Sequence, residues 1–355
     1  MEIEDDILRQ DIEEIAKISQ LTERLRQKTV FVTGATGLIG SQIVLALACM
    51  NRVSDAKLRI AAMVRSRQKA ERIFGKLLEC DDIALYYGDI NEPIAYEGNV
   101  DYIIHGASAT SSRYFVTQPV ETILTSIEGA KHILEFAKSK NVESMVYLSS
   151  LEVYGTPDGG RQLISETDYG YMDPTSVRSS YSEGKRMVEC LCASYAKEYG
   201  VPVKMARLSQ TFGAGVEYQD SRVFAEFARC AIEKKDIVLH TQGNTVRSYC
   251  YTKDSISAIL WILLYGGIGE AYNVTNMDTA ISIKDMAELV CGTFPEAGIQ
   301  VKIEIPEDVS AFGYNPEMVI RLDSSKLQAL GWNATVDLSD MFRRMVKSMS
   351  CATIS

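Results

Sequence analysis

Histidine and tryptophan are scarce in this chain, with 3 and 2 copies, and its 8 cysteines are scattered without a single Cys-x-x-Cys. Three separated histidines, His105, His132 and His240, place no metalloprotease-like pair on a helix, and no metal site is expected. Dispersed cysteines in a chain of 355 residues argue for reduced thiols rather than a disulfide framework. Positive charge is also in deficit: 37 Lys and Arg against 47 Asp and Glu give a net charge of −10. Such a balance excludes nonspecific nucleic-acid binding, which needs a basic face. No apolar run reaches the length of a membrane span, and the first residues lack the apolar core of a signal peptide. A cytoplasmic, soluble protein is therefore expected. Internal repeats and low-complexity tracts are missing as well.

What the chain does contain is a regular alternation. Strand-like runs at 29–33, 58–64, 83–87, 101–105 and 144–149 are separated by helix-like runs at 37–50, 68–79 and 119–139. Alternation of this kind predicts βαβ units, hence an α/β fold with a doubly wound parallel sheet and a site at the carboxyl ends of its strands. With 46% hydrophobic residues the chain can bury a large core. Beyond about residue 208 the regularity breaks around Gly213, Gly243, Pro295 and Pro306, as expected of a smaller lobe built from separated segments. The expected division is a helical arm over 1–27, a dinucleotide-binding Rossmann domain with a catalytic helix over 28–207, and a mainly substrate-binding lobe over 208–355, some of whose segments return to the first domain. The arm mixes charges with Ile and Leu at helical intervals, and either packs on the sheet, joins subunits or stays solvated.

The glycine turn and Ser150 fall at the predicted carboxyl ends, and a second motif lies on the helix that follows. Thr29-Val-Phe-Val-Thr33-Gly34-Ala-Thr-Gly37-Leu-Ile-Gly40 reads as a buried strand, a glycine turn and the start of a helix. Glycines there permit positive φ and let a pyrophosphate reach backbone N–H groups at the helix's positive end. Gly34, Thr36, Gly37, Leu38 and Ile39 are thus candidate cofactor contacts. Tyr181-Ser-Glu-Gly-Lys185 sets a phenol and an ammonium on one helical face, where the positive charge favours the phenolate, a usable base. Ser150, about thirty residues upstream, is placed to share the substrate hydroxyl's hydrogen bond while a hydride passes to a bound cofactor.

Taken together, the glycine turn, Ser150, Tyr181 and Lys185 resemble the extended short-chain dehydrogenase/reductase family. Within it the chain is similar to the branch that modifies nucleotide-activated sugars: epimerases, 4,6-dehydratases and decarboxylases. The resemblance implies that Asp89 and Ile90 meet the adenine, that Gly106, Ala107 and Ser108 line the cofactor in the turn after His105, and that Thr110 and Gln210 lie near the substrate. It further implies that Arg222 and Arg247 bind a diphosphate, for which a planar guanidinium fork is suited. Arg178, three before the tyrosine, matches the decarboxylase version, and a homodimer joined through helices near 119–139 and 180–199 is implied. Departures carry weight too. Dehydratases have Asp-Glu after the catalytic Ser or Thr, whereas here Leu151 precedes Glu152, so simple 4,6-dehydration is disfavoured and Glu152 alone is the candidate for acid/base work. Ser126 and Gln210 stand where relatives have Asn.

The second strand ends without the acid that usually holds the adenosine ribose. Arg65, Ser66 and Arg67 follow it and suit a 2′-phosphate, so NADP is preferred over NAD. The expected activity is tyrosinate-assisted hydride transfer at a carbinol of a nucleotide-diphosphate sugar. A net NADPH-dependent reductase of a nucleotide-linked keto-sugar is the alternative, and a non-catalytic cofactor-binding scaffold or sensor is the alternative from another class.

Overall fold

A computed structural model describes residues 3–108, 112–157, 162–306 and 317–352. The β-branched runs become strands β1 (Thr29–Thr33), β2 (Arg59–Val64), β3 (Ile83–Tyr87), β4 (Tyr102–His105), β5 (Ser144–Ser150) and β6 (Val203–Leu208). Six more follow: β7 (Gln210–Phe212), β8 (Ile237–Leu239), β9 (Val246–Tyr251), β10 (Ala271–Val274), β11 (Asn276–Ser282) and β12 (Val301–Ile303). A 7-stranded parallel sheet runs in the order β10-β6-β5-β4-β1-β2-β3. This is a Rossmann-type α/β fold, and its winding direction reverses between β1 and β4, which opens a crevice at their carboxyl ends. β10 enters the main sheet from beyond residue 208, while β9 pairs antiparallel with β11 and parallel with β7 in a 3-stranded sheet.

Helices α1 (Asp6–Ala16) and α2 (Ser19–Leu25) precede the sheet, and α3 (Leu38–Ser54), α4 (Arg67–Phe74), α5 (Ser112–Thr117), α6 (Pro119–Lys140) and α7 (Ser180–Tyr199) connect its strands. Then come α8 (Val223–Glu233), α9 (Thr252–Tyr265), α10 (Ile283–Thr293), α11 (Ser325–Gln328) and α12 (Leu338–Ala352). The helix expected over 68–79 stops at Phe74, where Gly75 adopts φ +47° and a 3₁₀ turn carries the chain to Glu79.

Both faces of the sheet are covered, which is why β1 is buried at every position rather than alternating. One core joins Val30 and Val32 to α3 and α9 and includes Ile12, Ile15, Leu21 and Leu25 of the first two helices. The amino-terminal segment is therefore packed onto the fold, because its Ile and Leu stripe finds an apolar seat. A second core places Phe31 and Met145 against Ile133 of α6 and Val188 of α7. A third gathers Phe212, Phe224 and Phe342, with Phe212 and Phe224 stacked at 4.6 Å, and belongs to the residues beyond β6.

Candidate functional site

The glycine turn lies at the reversal point, between β1 and α3. Gly34 has φ +68°, and a Cβ there would meet the carbonyl carbon and oxygen of Gly106 at 2.7 Å, so only glycine lets the β1 and β4 turns approach so closely. Gly40 is equally constrained, since its Cβ would lie 2.2 Å from Gly34 O. Gly37 caps α3 without any side-chain hydrogen bond. The first-turn amides of Leu38 and Ile39 are thus directed at the crevice beside Thr36, a helix terminus prepared for an anion. Thr33 Oγ1 accepts from the Ala107 amide at 3.2 Å and shares a 2.7 Å hydrogen bond with His105 Nδ1, locking the β4 turn onto β1. Burial pushes His105 down to about 3, so it is neutral and structural.

Asp89 follows β3 and accepts from the Asn91 amide at 2.9 Å. Ile90 is turned inward, packed over Gly129 of α6. Gly106 and Ala107 border the glycine turn directly, and Ser108 follows them. After β2, Ser66 caps α4 by accepting from the Lys69 amide at 3.2 Å, and Arg67 pairs with Glu71 on the surface at 3.0 Å. Arg65 is exposed and has no ion-pair partner among the described residues. Thr110 lies outside the described residues.

Ser150, Tyr181 and Lys185 converge. Ser150 ends β5; its hydroxyl accepts from the Glu152 amide at 3.2 Å and lies near enough to the Tyr181 phenol to favour its ionised form. Tyr181 sits in the first turn of α7, its ring stacked on Phe115 at 4.2 Å between centroids. Lys185 is buried one turn further on, where its Nζ donates to Leu148 O at 2.8 Å and lies 5.6 Å from the Tyr181 ring centroid. The expected phenolate is not free for the asking: burial pushes Tyr181 up to about 12 and Lys185 down to about 8. Desolvation dominates both shifts; the nearby Ser150 hydroxyl and the Arg178 charge favour the phenolate, while the Glu189 charge favours the Lys185 ammonium.

Beside this trio, Glu152 accepts from Ser182 Oγ at 2.9 Å and faces the Arg178 guanidinium at 3.6 Å. Arg247, on β9, has a buried Nη1 with no hydrogen-bond partner among the described residues, and burial lowers its pKa while the Glu152 charge raises it and the Arg178 charge lowers it. Gln210 opens β7 opposite Tyr249 of β9, on the face that carries Arg247 two residues earlier. Arg222 is not drawn into this group: it is exposed, bound through Nε and Nη2 to Asp220 at 3.0 and 2.6 Å, and laid over Phe224.

Sequence reasoning missed the support behind the trio. Glu189, one turn beyond Lys185, accepts from Ser149 Oγ at 2.5 Å and pairs with the fully buried Arg207 at 2.6 Å. Arg207 also donates to Tyr154 Oη at 2.8 Å, and Tyr154 donates to Asn273 at 2.7 Å, so α7 is pinned to β5, β6 and β10. The available signal was the i, i+4 spacing of Lys185 and Glu189, which places both on the buried face of one helix. Among the described residues no cluster of His, Cys, Asp and Glu could hold a metal ion, and no helix is long and apolar enough to cross a membrane.

Residues 30–275 match the family described as the NAD dependent epimerase/dehydratase family. Among curated relatives, UDP-glucuronic acid decarboxylase 6 of Arabidopsis thaliana is 27% identical over 316 residues, covering 88% of this chain and 85% of the plant protein. UDP-glucuronic acid decarboxylase 1 of Danio rerio is 27% identical over 331 residues, 93% of this chain and 74% of the fish protein. Similar folds include a UDP-glucose 4-epimerase of Thermotoga maritima solved with UDP-glucose (TM-score 0.75, 19% identity, 92% of this chain and 100% of that one). Another is the UDP-glucuronic acid 4-epimerase of Bacillus cereus with UDP-glucuronic acid and NAD (TM-score 0.73, 20% identity, 91% and 99%).

Proposed function

The chain belongs to the NAD dependent epimerase/dehydratase family, and from that premise we propose that it oxidises and re-reduces a carbinol of a nucleotide-activated sugar, with decarboxylation of a linked uronic acid as the net reaction. The observation that carries this reading is the buried Nη1 of Arg247, which has no hydrogen-bond partner among the described residues and feels the charges of Glu152 and Arg178. A desolvated guanidinium nitrogen with nothing to donate to is costly, and a substrate diphosphate oxygen satisfies it. The neighbouring Arg178, which faces Glu152 at 3.6 Å and the Phe115 ring at 5.6 Å, is then the cation for a carboxylate on the sugar ring. Relatives named as UDP-glucuronic acid decarboxylases support the same choice.

When bound, the nicotinamide supplies the hydride acceptor and donor. The Gly34-to-Ile39 turn fits its pyrophosphate, because the cradle has no room for a Cβ and the α3 amides carry no side-chain cap. Tyr181 Oη takes the carbinol proton and Ser150 Oγ holds the same oxygen as it becomes a carbonyl. Lys185, as an ammonium, favours the phenolate during that transfer. Loss of CO2 from the β-keto acid places negative charge on the oxygen that Tyr181 and Ser150 hold, and Glu152 is the acid/base for the adjacent carbon. Leu151, buried against Ile164 and Leu322, supplies no acid for a leaving hydroxyl, which argues against simple dehydration. Asp89 and Ile90, with Gly106, Ala107 and Ser108, border the adenine-to-nicotinamide path, and Gln210 borders the substrate.

Cofactor preference and assembly belong to the same proposal. The exposed Arg65 and the Ser66 cap at the start of α4 favour a 2′-phosphate, hence NADP; the NAD carried by the Bacillus cereus enzyme is the other outcome. Val120 and Leu124 on α6 and Met187 on α7 are exposed, a surface suited to a second copy of the chain.

The test is direct. The dinucleotide released on denaturation is identified, and the protein is offered UDP-, dTDP-, CDP- and GDP-linked glucuronic acid. Decarboxylation predicts a product lighter by CO2 with no net consumption of cofactor. Unchanged mass with an inverted carbinol indicates epimerisation instead, and stoichiometric NADPH consumption indicates a net reductase.

A further inference from the structure

Helix α1 is held at three points, and the partners at all three lie beyond residue 213. At its start Asp5 accepts from the amides of Ile7 and Leu8, each at 3.0 Å, and from Ser348 Oγ, whose oxygen in turn accepts from the Gly215 amide at 2.9 Å. In its middle Asp11, 0% exposed, accepts from Tyr251 Oη at 2.6 Å and from Arg344 Nη1 at 2.8 Å. Near its end Glu14 pairs with Lys253 at 2.6 Å. The rest of α1 lies on α3, the helix that opens at the glycine turn, and on α9. Gly215 is wedged between them: a Cβ there would meet Gln42 Nε2 of α3 at 2.7 Å and Leu8 Cδ2 of α1 at 3.7 Å.

Tyr251 is where this fastening meets the site. It ends β9 four residues after Arg247, on the same face of the strand. Its hydroxyl accepts from the Ala214 amide at 3.4 Å while donating to Asp11, and its ring fills the space over Gly213, where a Cβ would lie 2.3 Å away. One phenol therefore fixes both the strand bearing Arg247 and the turn that follows Gln210. A buried carboxylate is a poor way to gain stability, since apolar packing of similar volume does as well or better; what it secures is one geometry. Its surroundings are balanced for that purpose, with Arg344 shared between Asp11 and Asp340, and Lys253 facing Glu14.

We propose that the amino-terminal arm is a clasp joining the cofactor-bearing helix α3 to the substrate-bearing strand β9, with Asp11 a positioning residue that aims Arg247 through Tyr251. The inference rests on the reading of Arg247 as the diphosphate contact. Three full-length variants test it, Asp11→Asn, Arg247→Lys and the double substitution, by calorimetric binding of the dinucleotide and of whichever of UDP, dTDP, CDP and GDP binds the wild type best. Asp11→Asn is expected to weaken nucleoside diphosphate binding about tenfold while dinucleotide affinity changes less than about twofold, and the double variant to lose less than the product of the single losses. Unchanged diphosphate affinity in a folded Asp11→Asn, or equal weakening of both ligands, overturns the clasp. If Arg247→Lys weakens diphosphate binding and Asp11→Asn does not, the clasp alone falls. If Arg247→Lys has no effect, the diphosphate reading falls and takes the clasp with it. Should Asp11→Asn fail to fold, Asp5→Ala at the rim carries the same expectation at about threefold, and selective retention of diphosphate affinity there overturns it equally.

Discussion

At the residue scale, the trio at the end of β5 and the start of α7 sets activity against stability. Lys185 is a buried ammonium pushed down to about 8, so the unfolded chain binds its proton more tightly than the folded one. Its cost to stability is present at neutral pH and is relieved as pH rises through about 8. Lys185→Met is therefore expected to lower turnover by about a hundredfold or more without lowering the unfolding temperature, read by product formation and calorimetry. Tyr181→Phe is expected to abolish turnover with dinucleotide binding kept, whereas a scaffold protein would be indifferent to it. Asp11 titrates the other way. Burial raises it to about 6, so the folded state holds its proton more tightly, and its contribution to stability is full below about pH 4 and lost as pH rises through about 6. Asp11→Asn should flatten the stability profile across that window, measured by denaturant unfolding between those limits. The Tyr181 and Lys185 pairing was legible because four residues on a helix fix a face. Glu189 with Arg207 was not, because 18 residues and two different elements separate the partners.

At the scale of elements, the glycine turn is the part most constrained by backbone geometry. Gly34→Ala places a methyl 2.7 Å from the Gly106 carbonyl at φ +68° and is expected to destabilise the fold by about 1–3 kcal/mol and to weaken dinucleotide binding more than tenfold. Strands β1 and β3 begin and end where their runs do: the β-branched and aromatic residues of β1 stop at Gly34, and Ile, Leu and Tyr of β3 lie between Asp82 and Gly88. The early end of α4 was not legible, because Gly75 lies inside the helix-like run 68–79 and it is its positive φ in the fold that stops the helix. In α1 the clue was present and unused: Leu8, Asp11, Ile12 and Ile15 share one helical face, so a carboxylate stood inside an apolar stripe and called for a buried partner. That partner, Arg344, lies 333 residues away and only the fold brings it near.

For the whole molecule, winding order decides where chemistry occurs. The reversal between β1 and β4 puts the glycine turn against the Gly106 turn, and β5 and α7 then deliver Ser150 and Tyr181 to the same edge. Alternating strands and helices through Lys185 made this half of the architecture readable in advance. The 3-stranded sheet carrying Gln210 and Arg247 was not, since β7, β9 and β11 pair across long separations and lack a sequence period of their own. The exposed apolar face of α6 and α7 predicts that Val120→Glu with Met187→Glu shifts a dimer to monomer in light-scattering chromatography, with the fold intact. The most direct measurement of the central claim follows one atom: the hydrogen on the oxidised carbinol. With that position deuterated in the nucleotide-linked uronic acid, the account predicts a product lighter by CO2 that retains its deuterium at the same carbon. Deuterium found in released reduced dinucleotide, or washed into solvent, would contradict it.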